Sequence, residues 1–269
     1  MSIVTSEWLN KNMDKVKIID CSWHMPYENR NPQEEYKNDH IKNAIFFDLE
    51  KNSDLNSNLP HMLTDKNSWE KIVSKMGINN NDNIVVYDNS DVISSCRCWY
   101  NFIYFGHDPN LISVLDGGLK KWKVENRKTS NNTNKISKSD YRGNELFKLV
   151  KDKKTIDENI KKQEFVVVDA RSRGRFEGKI PDPRKNVKSG SIPNSVCLPF
   201  AELINEDHTF KSLNELNQLF QVFLKNHNNL VFSCGSGVTA CVLALAYSLV
   251  NTKYLPVIYD GSWAEYGKI

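Results

Sequence analysis

The chain has 269 residues, 39% of them hydrophobic and 26% charged, a length and balance that predict about two compact soluble domains. Thirty-six basic and 33 acidic side chains leave a net charge of only +3, too little for the field that gathers nucleic acid or an anionic membrane. The nearest approach to a basic run, residues 151–154, is interrupted by Asp152 and reads as a solvated face.

Residues 1–15 lack an apolar core of signal-peptide length, and Lys11 and Lys15 are balanced by Glu7 and Asp14, so no secretory signal is expected. A reduced cytoplasmic setting follows, with mitochondrial import as the alternative. Free thiols are then the default for the six cysteines, Cys21, Cys96, Cys98, Cys197, Cys234 and Cys241. Cys96-x-Cys98 has no second pair at zinc-ligand spacing, and no metal is assigned.

Along the chain, four short pieces occur twice in the same order. Lys17-Ile-Ile-Asp20 is answered by Val166-Val-Val-Asp169, and His40-Ile-Lys-Asn-Ala-Ile45 by Ser191-Ile-Pro-Asn-Ser-Val196. Asn83-Ile-Val-Val-Tyr-Asp88 is answered by Asn229-Leu-Val-Phe-Ser-Cys234, and Val114-Leu-Asp-Gly-Gly118 by Ile258-Tyr-Asp-Gly-Ser262. Separations that drift by only a few residues indicate one duplicated domain with small loop changes rather than a solenoid. The runs are short, rich in Val and Ile, and punctuated by Asp, Asn or Gly, which predicts strands.

Helical patterns lie between them. Trp69, Ile72, Val73 and Met76 share a face, with Gly77 as the stop. Residues 128–140 are polar, asparagine-rich and unpatterned, which predicts a linker. Thr155-x-x-Glu158 and Ser212-x-x-Glu215 read as capping boxes, the latter opening a helix over 213–225 with Leu216, Leu219, Phe220 and Phe223 on one face. The longest apolar stretch, 238–250, contains Thr239, Tyr247 and Ser248; it is too short to span a bilayer and predicts a buried helix. Strands alternating with helices give an α/β fold of mainly parallel sheets flanked by helices.

The most informative string is Leu230-Val-Phe-Ser-Cys234-Gly-Ser-Gly-Val-Thr-Ala-Cys241. A buried strand runs straight into Cys234, and the glycines after it let the backbone curl so that several N–H groups face whatever the sulfur carries. The helix that follows adds partial positive charge, which favours the nucleophilic thiolate and an anionic persulfide alike. Cys241, within the helix, reads as core. A cysteine phosphatase also cradles its thiolate after a strand, but needs an arginine six residues on; here that residue is Ala240, which argues against a phosphate dianion.

Cys234-Gly-Ser-Gly-Val-Thr-Ala240 resembles the active loop of the 3-mercaptopyruvate sulfurtransferases, close relatives of thiosulfate sulfurtransferase (rhodanese). The resemblance extends through Asp20-Cys-Ser-Trp23, His40-Ile-Lys-Asn-Ala-Ile-Phe-Phe-Asp48, Leu115-Asp-Gly-Gly-Leu119, Asp169-Ala-Arg-Ser-Arg-Gly-Arg-Phe176, Pro181-Asp-Pro-Arg184 and Tyr259-Asp-Gly-Ser-Trp263. It implies tandem duplicated rhodanese domains: 1–128, catalytically silent because Asp88 stands at the cysteine position; a linker over 129–150; and 151–269, carrying Cys234.

The resemblance further implies that Arg175 and Arg184 hold the carboxylate and carbonyl of the substrate, and that Gly235, Gly237, Val238 and Thr239 line the sulfur site. It implies a relay of Ser236, His61 and a carboxylate. The family's aspartate falls here on Glu50, one methylene longer, and Ser191 stands where the family usually has histidine. Thiosulfate-preferring relatives place Arg and Lys directly after the cysteine; the neutral Gly235-Ser236-Gly237 favours 3-mercaptopyruvate. The expected protein is a monomer without cofactor, delivering sulfur to a thiol such as thioredoxin or to cyanide. Thiosulfate sulfurtransferase, or a persulfide relay serving tRNA thiolation, are the alternatives.

Overall fold

The structure, a computed structural model, describes residues 2–133, 135–224, 229–254 and 256–269. The chain forms two compact units, one comprising the residues to Leu55, Leu63–Leu146 and Glu206–Thr209, the other Asn56–Met62, Phe147–Asn205 and Phe210–Ile269.

The first unit is built on β1 (Ile3–Val4), β2 (Lys17–Asp20), β3 (Ala44–Phe46), β4 (Ile84–Tyr87) and β5 (Ile112–Leu115), in the order β1-β5-β4-β2-β3. Every pairing is parallel, with Ile18 opposite Val85 and Val86 opposite Val114. The second unit uses β6 (Val150–Lys151), β7 (Val166–Asp169), β8 (Val196–Cys197), β9 (Leu230–Ser233) and β10 (Ile258–Tyr259), in the order β6-β10-β9-β7-β8, again all parallel. Adding five to each label of the first sheet gives the second, so the repeat in the sequence is a repeat of topology. The central strands β4 and β9 are buried at every residue, as both-face helix cover requires of a parallel sheet.

The helices follow from their caps and buried faces. Lys66–Lys75 starts where the Asp65 carboxylate accepts from Asn67 and Ser68 N–H, buries Trp69 and Val73, and stops at Gly77, whose φ of +67° an L side chain rarely adopts. Leu213–Gln221 opens with the expected Ser212–Glu215 box and buries Leu216 and Phe220, but ends four residues short of the expected 225, which itself lies outside the described residues. The Thr155–Glu158 box is not used. Asp152, a carboxylate three residues earlier, caps Lys153–Lys162 by accepting from Thr155 N–H and Oγ1, while Glu158 pairs with Lys162.

The polar stretch after the first repeat takes on structure of its own. Thr129–Ser130 pairs antiparallel with His40–Ile41, and further on Tyr141 is buried with its N–H on Ser74 Oγ. Val150, near its end, already pairs with Ile258 in the second sheet. The apolar stretch 238–250 forms the helix Ala240–Val250, buried from Ala240 through Tyr247. Among the described residues no helix is long and apolar enough to cross a membrane.

Candidate active site

β9 delivers Cys234 to the C-terminal edge of the second sheet, at the end of a central strand, where loops of open α/β sheets carry function. The thiol is 1% exposed. The loop after it is held by the helix Ser262–Tyr266 that follows β10: Cys234 N–H donates to Ser262 Oγ at 3.2 Å, and Trp263 and Ala264 N–H donate to the carbonyls of Cys234 and Gly235, each at 2.9 Å. Ser262 Oγ donates onward to Tyr259 C=O at 2.8 Å. Asp260-Gly-Ser-Trp263 is therefore the support of the cysteine loop. Sequence reasoning noted the string without giving it that role.

Gly237 turns the loop at φ +77°, a conformation that costs an L residue roughly 1–2 kcal/mol. The helix Ala240–Val250 then begins without a side-chain cap. Among the described residues, no acceptor takes the N–H groups of Gly235, Ser236, Val238 or Thr239. Uncapped N–H groups at a helix N-terminus are a place for an anion. The first unit shows the same place filled by the chain itself. Asp88, at the end of β4, accepts from Ser90 N–H at 2.8 Å and from Ser95 N–H at 2.9 Å, the first residue of the helix Ser95–Tyr104.

Two guanidinium groups converge on the cysteine loop. A Cβ built on Gly235 would lie 3.1 Å from Arg184 Nη2 and 3.5 Å from Arg175 Nη2, so only glycine lets both approach without displacement. Both arginines are gripped by Asp182, whose side chain is 1% exposed: Arg175 Nη2 donates to Oδ2 at 2.6 Å, and Arg184 Nη1 and N–H donate to Oδ1 at 3.1 and 3.0 Å. Burial pulls the Asp182 carboxyl upward, but the Arg184 N–H and the two guanidinium groups outweigh it and hold the group below the usual carboxylate range. Arg175 Nε is buried with no hydrogen-bond partner among the described residues. A buried, unpaired guanidinium donor suits a site built for an anionic ligand.

His61 Nδ1 lies 3.0 Å from Ser236 Oγ, both groups buried, and His61 sits at φ +60° in the left-handed region. Of the relay residues read from sequence, Ser236 and His61 are thus brought together within the second unit. Glu50 belongs to the first unit, where its Oε1 accepts from Trp23 Nε1 at 2.7 Å.

The other thiols lack these surroundings. Burial, then the adjacent Cys98, pushes Cys21 well above its ordinary range, and burial, then Asp169, lifts Cys197 to about 11. Cys241 is fully buried with Sγ on Gly237 C=O at 3.2 Å. Among the described residues none of the six cysteines is in a disulfide, and no cluster of three or more His, Cys, Asp or Glu is placed to hold a metal.

A buried thiol at the end of a central strand, beside two clamped arginines, is the candidate group-transfer site on a duplicated α/β frame. The rhodanese-like domain model matches the chain twice, at residues 5–125 and 152–268. The chain is 34% identical to the 3-mercaptopyruvate sulfurtransferase of Homo sapiens, over 98% of this chain and 91% of that one. It is 37% identical to the mitochondrial thiosulfate/3-mercaptopyruvate sulfurtransferase 1 of Arabidopsis thaliana, over 98% and 75% of the two chains. The crystal structure of SseA from Escherichia coli, described as a 3-mercaptopyruvate sulfotransferase of rhodanese fold, superposes with a TM-score of 0.87 at 29% identity, covering 98% of this chain and 99% of that one. The chain belongs to the rhodanese family, as a sulfurtransferase with two rhodanese domains.

Proposed function

We propose that the protein moves the sulfur of 3-mercaptopyruvate to a thiol acceptor through a persulfide on Cys234. The observation that carries this reading is the position of Arg175 and Arg184 over Gly235, because it supplies positive charge beside a loop that has none of its own. Guanidinium forks suit the carboxylate and adjacent carbonyl of a 2-oxo acid, whose geometry accepts paired N–H donors.

With the substrate so held, the Cys234 thiolate attacks the mercaptan sulfur. A sulfur–sulfur bond forms, the carbon–sulfur bond breaks, and its electron pair leaves on the three-carbon fragment as the enolate of pyruvate. Ser236, backed by His61, delivers the proton that converts the enolate to pyruvate. The N–H groups of Gly235, Gly237, Val238 and Thr239 hold the outer sulfur of the persulfide. An acceptor thiolate, such as that of reduced thioredoxin, or cyanide, then attacks that sulfur and releases the Cys234 thiolate. Asp88, occupying the corresponding place in the first domain, leaves that domain silent. The protein acts as a monomer in a reducing compartment, the cytoplasm in the first instance.

The test is to mix the protein with 3-mercaptopyruvate and follow pyruvate release together with the intact mass. One added sulfur atom, absent in Cys234→Ser, is expected; no added sulfur, or sulfur that survives that substitution, sinks the reading. Arg184→Gly should raise KM for mercaptopyruvate by about tenfold or more, the loss of one charge-assisted pair, and an unchanged KM removes Arg184 from the substrate site. Running thiosulfate alongside decides between the two donors.

A further inference from the structure

We infer that Asp182 is the residue that sets the charge of the donor site, positioning both substrate arginines while cancelling one of their two charges. The inference deepens the functional reading above and rests on it. It starts from a carboxylate that joins the two arginines beside the cysteine loop. Asp182 is 1% exposed, and its two oxygens take Arg175 Nη2, Arg184 Nη1 and the Arg184 N–H. Arg175 and Arg184 keep 20% and 27% of their side-chain surface; Arg184 approaches Gly235 through Nη2 while its Nη1 is on Asp182, and the Arg175 Nη2 that approaches Gly235 is the one Asp182 Oδ2 holds.

Two consequences follow. The first is geometric. Each guanidinium is a planar fork on a long flexible stem, and holding two forks at one place costs side-chain entropy; one carboxylate shared by both fixes them together before the substrate arrives. The second is electrostatic. Two arginines and one aspartate leave a single net positive charge, matched to a donor whose binding group is one carboxylate. A dianion such as thiosulfate gains twice as much from each unit of positive charge, because Coulomb energy scales with the product of the charges. Removing the Asp182 charge therefore favours the dianion over the monoanion, even as it loosens the clamp that suits a 2-oxo acid.

The experiment compares 3-mercaptopyruvate and thiosulfate as donors, with cyanide as acceptor, in the wild-type protein, Asp182→Asn and Asp182→Glu. Asp182→Asn keeps the shape and one acceptor but removes the charge. It should lower kcat/KM for mercaptopyruvate about tenfold, mainly through KM, and shift the thiosulfate-to-mercaptopyruvate ratio of kcat/KM upward by about tenfold or more, the size of one charge-assisted pair. Asp182→Glu keeps the charge and misplaces it, so both donors should fall while their ratio stays near that of the wild type. If both donors change by one common factor in Asp182→Asn, Asp182 is a structural residue and the inference is overturned. Should Asp182→Asn fail to show a cooperative melt, Asp182→Ser, also neutral, carries the same comparison. A wild-type protein inactive with mercaptopyruvate sinks the functional reading itself. An active wild type whose donor ratio ignores the charge at position 182 sinks this inference alone.

Discussion

His61 and Ser236 stand 175 residues apart in the chain, yet His61 Nδ1 and Ser236 Oγ are 3.0 Å apart and buried. His61 reaches that position in a left-handed backbone conformation that a non-glycine residue holds only when its surroundings enforce it. A hydroxyl paired with an imidazole can deliver a proton, and in the proposed reaction the step that needs one is the release of pyruvate. Ser236→Ala and His61→Asn should each slow pyruvate release in a single turnover by about 100-fold, the lower range for a positioned general acid or base. The double substitution should cost little more than either single one, since the two act as a unit. Transfer from a preformed persulfide to cyanide should be nearly unaffected. Independent, multiplicative losses measured by rapid quench count against the pair.

The duplication was legible because it rests on strands, whose apolar runs and terminal aspartates survive as patterns; both sheets have the strand order that the repeat implies. Cys234 was legible for the same reason, since a strand, a cysteine and two glycines before a helix restrict what the backbone does there. Contacts made through space were harder to read. Nothing in the spacing of Pro181-Asp-Pro-Arg184 says that the aspartate turns back on its own arginine and on Arg175, although a carboxylate two residues before an arginine is a signal that sequence reasoning can use. Ser262 was read as the end of a repeat, not as the acceptor for the Cys234 N–H, because that hydrogen bond joins residues 28 apart that follow two adjacent strands. The Thr155–Glu158 box misled because two acceptors competed for one helix start. The carboxylate of Asp152, placed at the true N-cap, took the N–H groups.

Asp88 supplies a structural prediction that separates the two domains. Its carboxylate oxygens accept from the Ser90 and Ser95 N–H groups, all buried, which makes it the helix cap of the first domain at the position Cys234 holds in the second. Asp88→Ala leaves both donors without an acceptor, and a buried unsatisfied group costs about 1–3 kcal/mol. Urea unfolding should register a loss in that range, while the yield of persulfide on Cys234 stays at the wild-type level. An Asp88→Ala protein as stable as the wild type places the helix cap elsewhere.

Asp20 gives the pH dependence its sign. It ends β2 fully buried, and burial raises its carboxyl to about 6 despite donation from Ser22 N–H and Oγ, with the nearby Asp88 adding to the rise. The folded state therefore binds this proton more tightly than the unfolded chain, whose aspartate titrates near 3.9. Below the unfolded value both states hold the proton and the site contributes its full share. Between roughly pH 4 and 6 the folded state is protonated where the unfolded state is not, so stability falls as pH rises through this window and levels off above it. A shift of about two units corresponds to roughly 3 kcal/mol across the window. Asp20→Asn keeps an acceptor for Ser22 and cannot ionise. Subtracting its urea-unfolding profile from that of the wild type should leave a descending curve between pH 4 and 6.5, and a flat or rising difference would show that the Asp20 proton does not distinguish the folded from the unfolded chain.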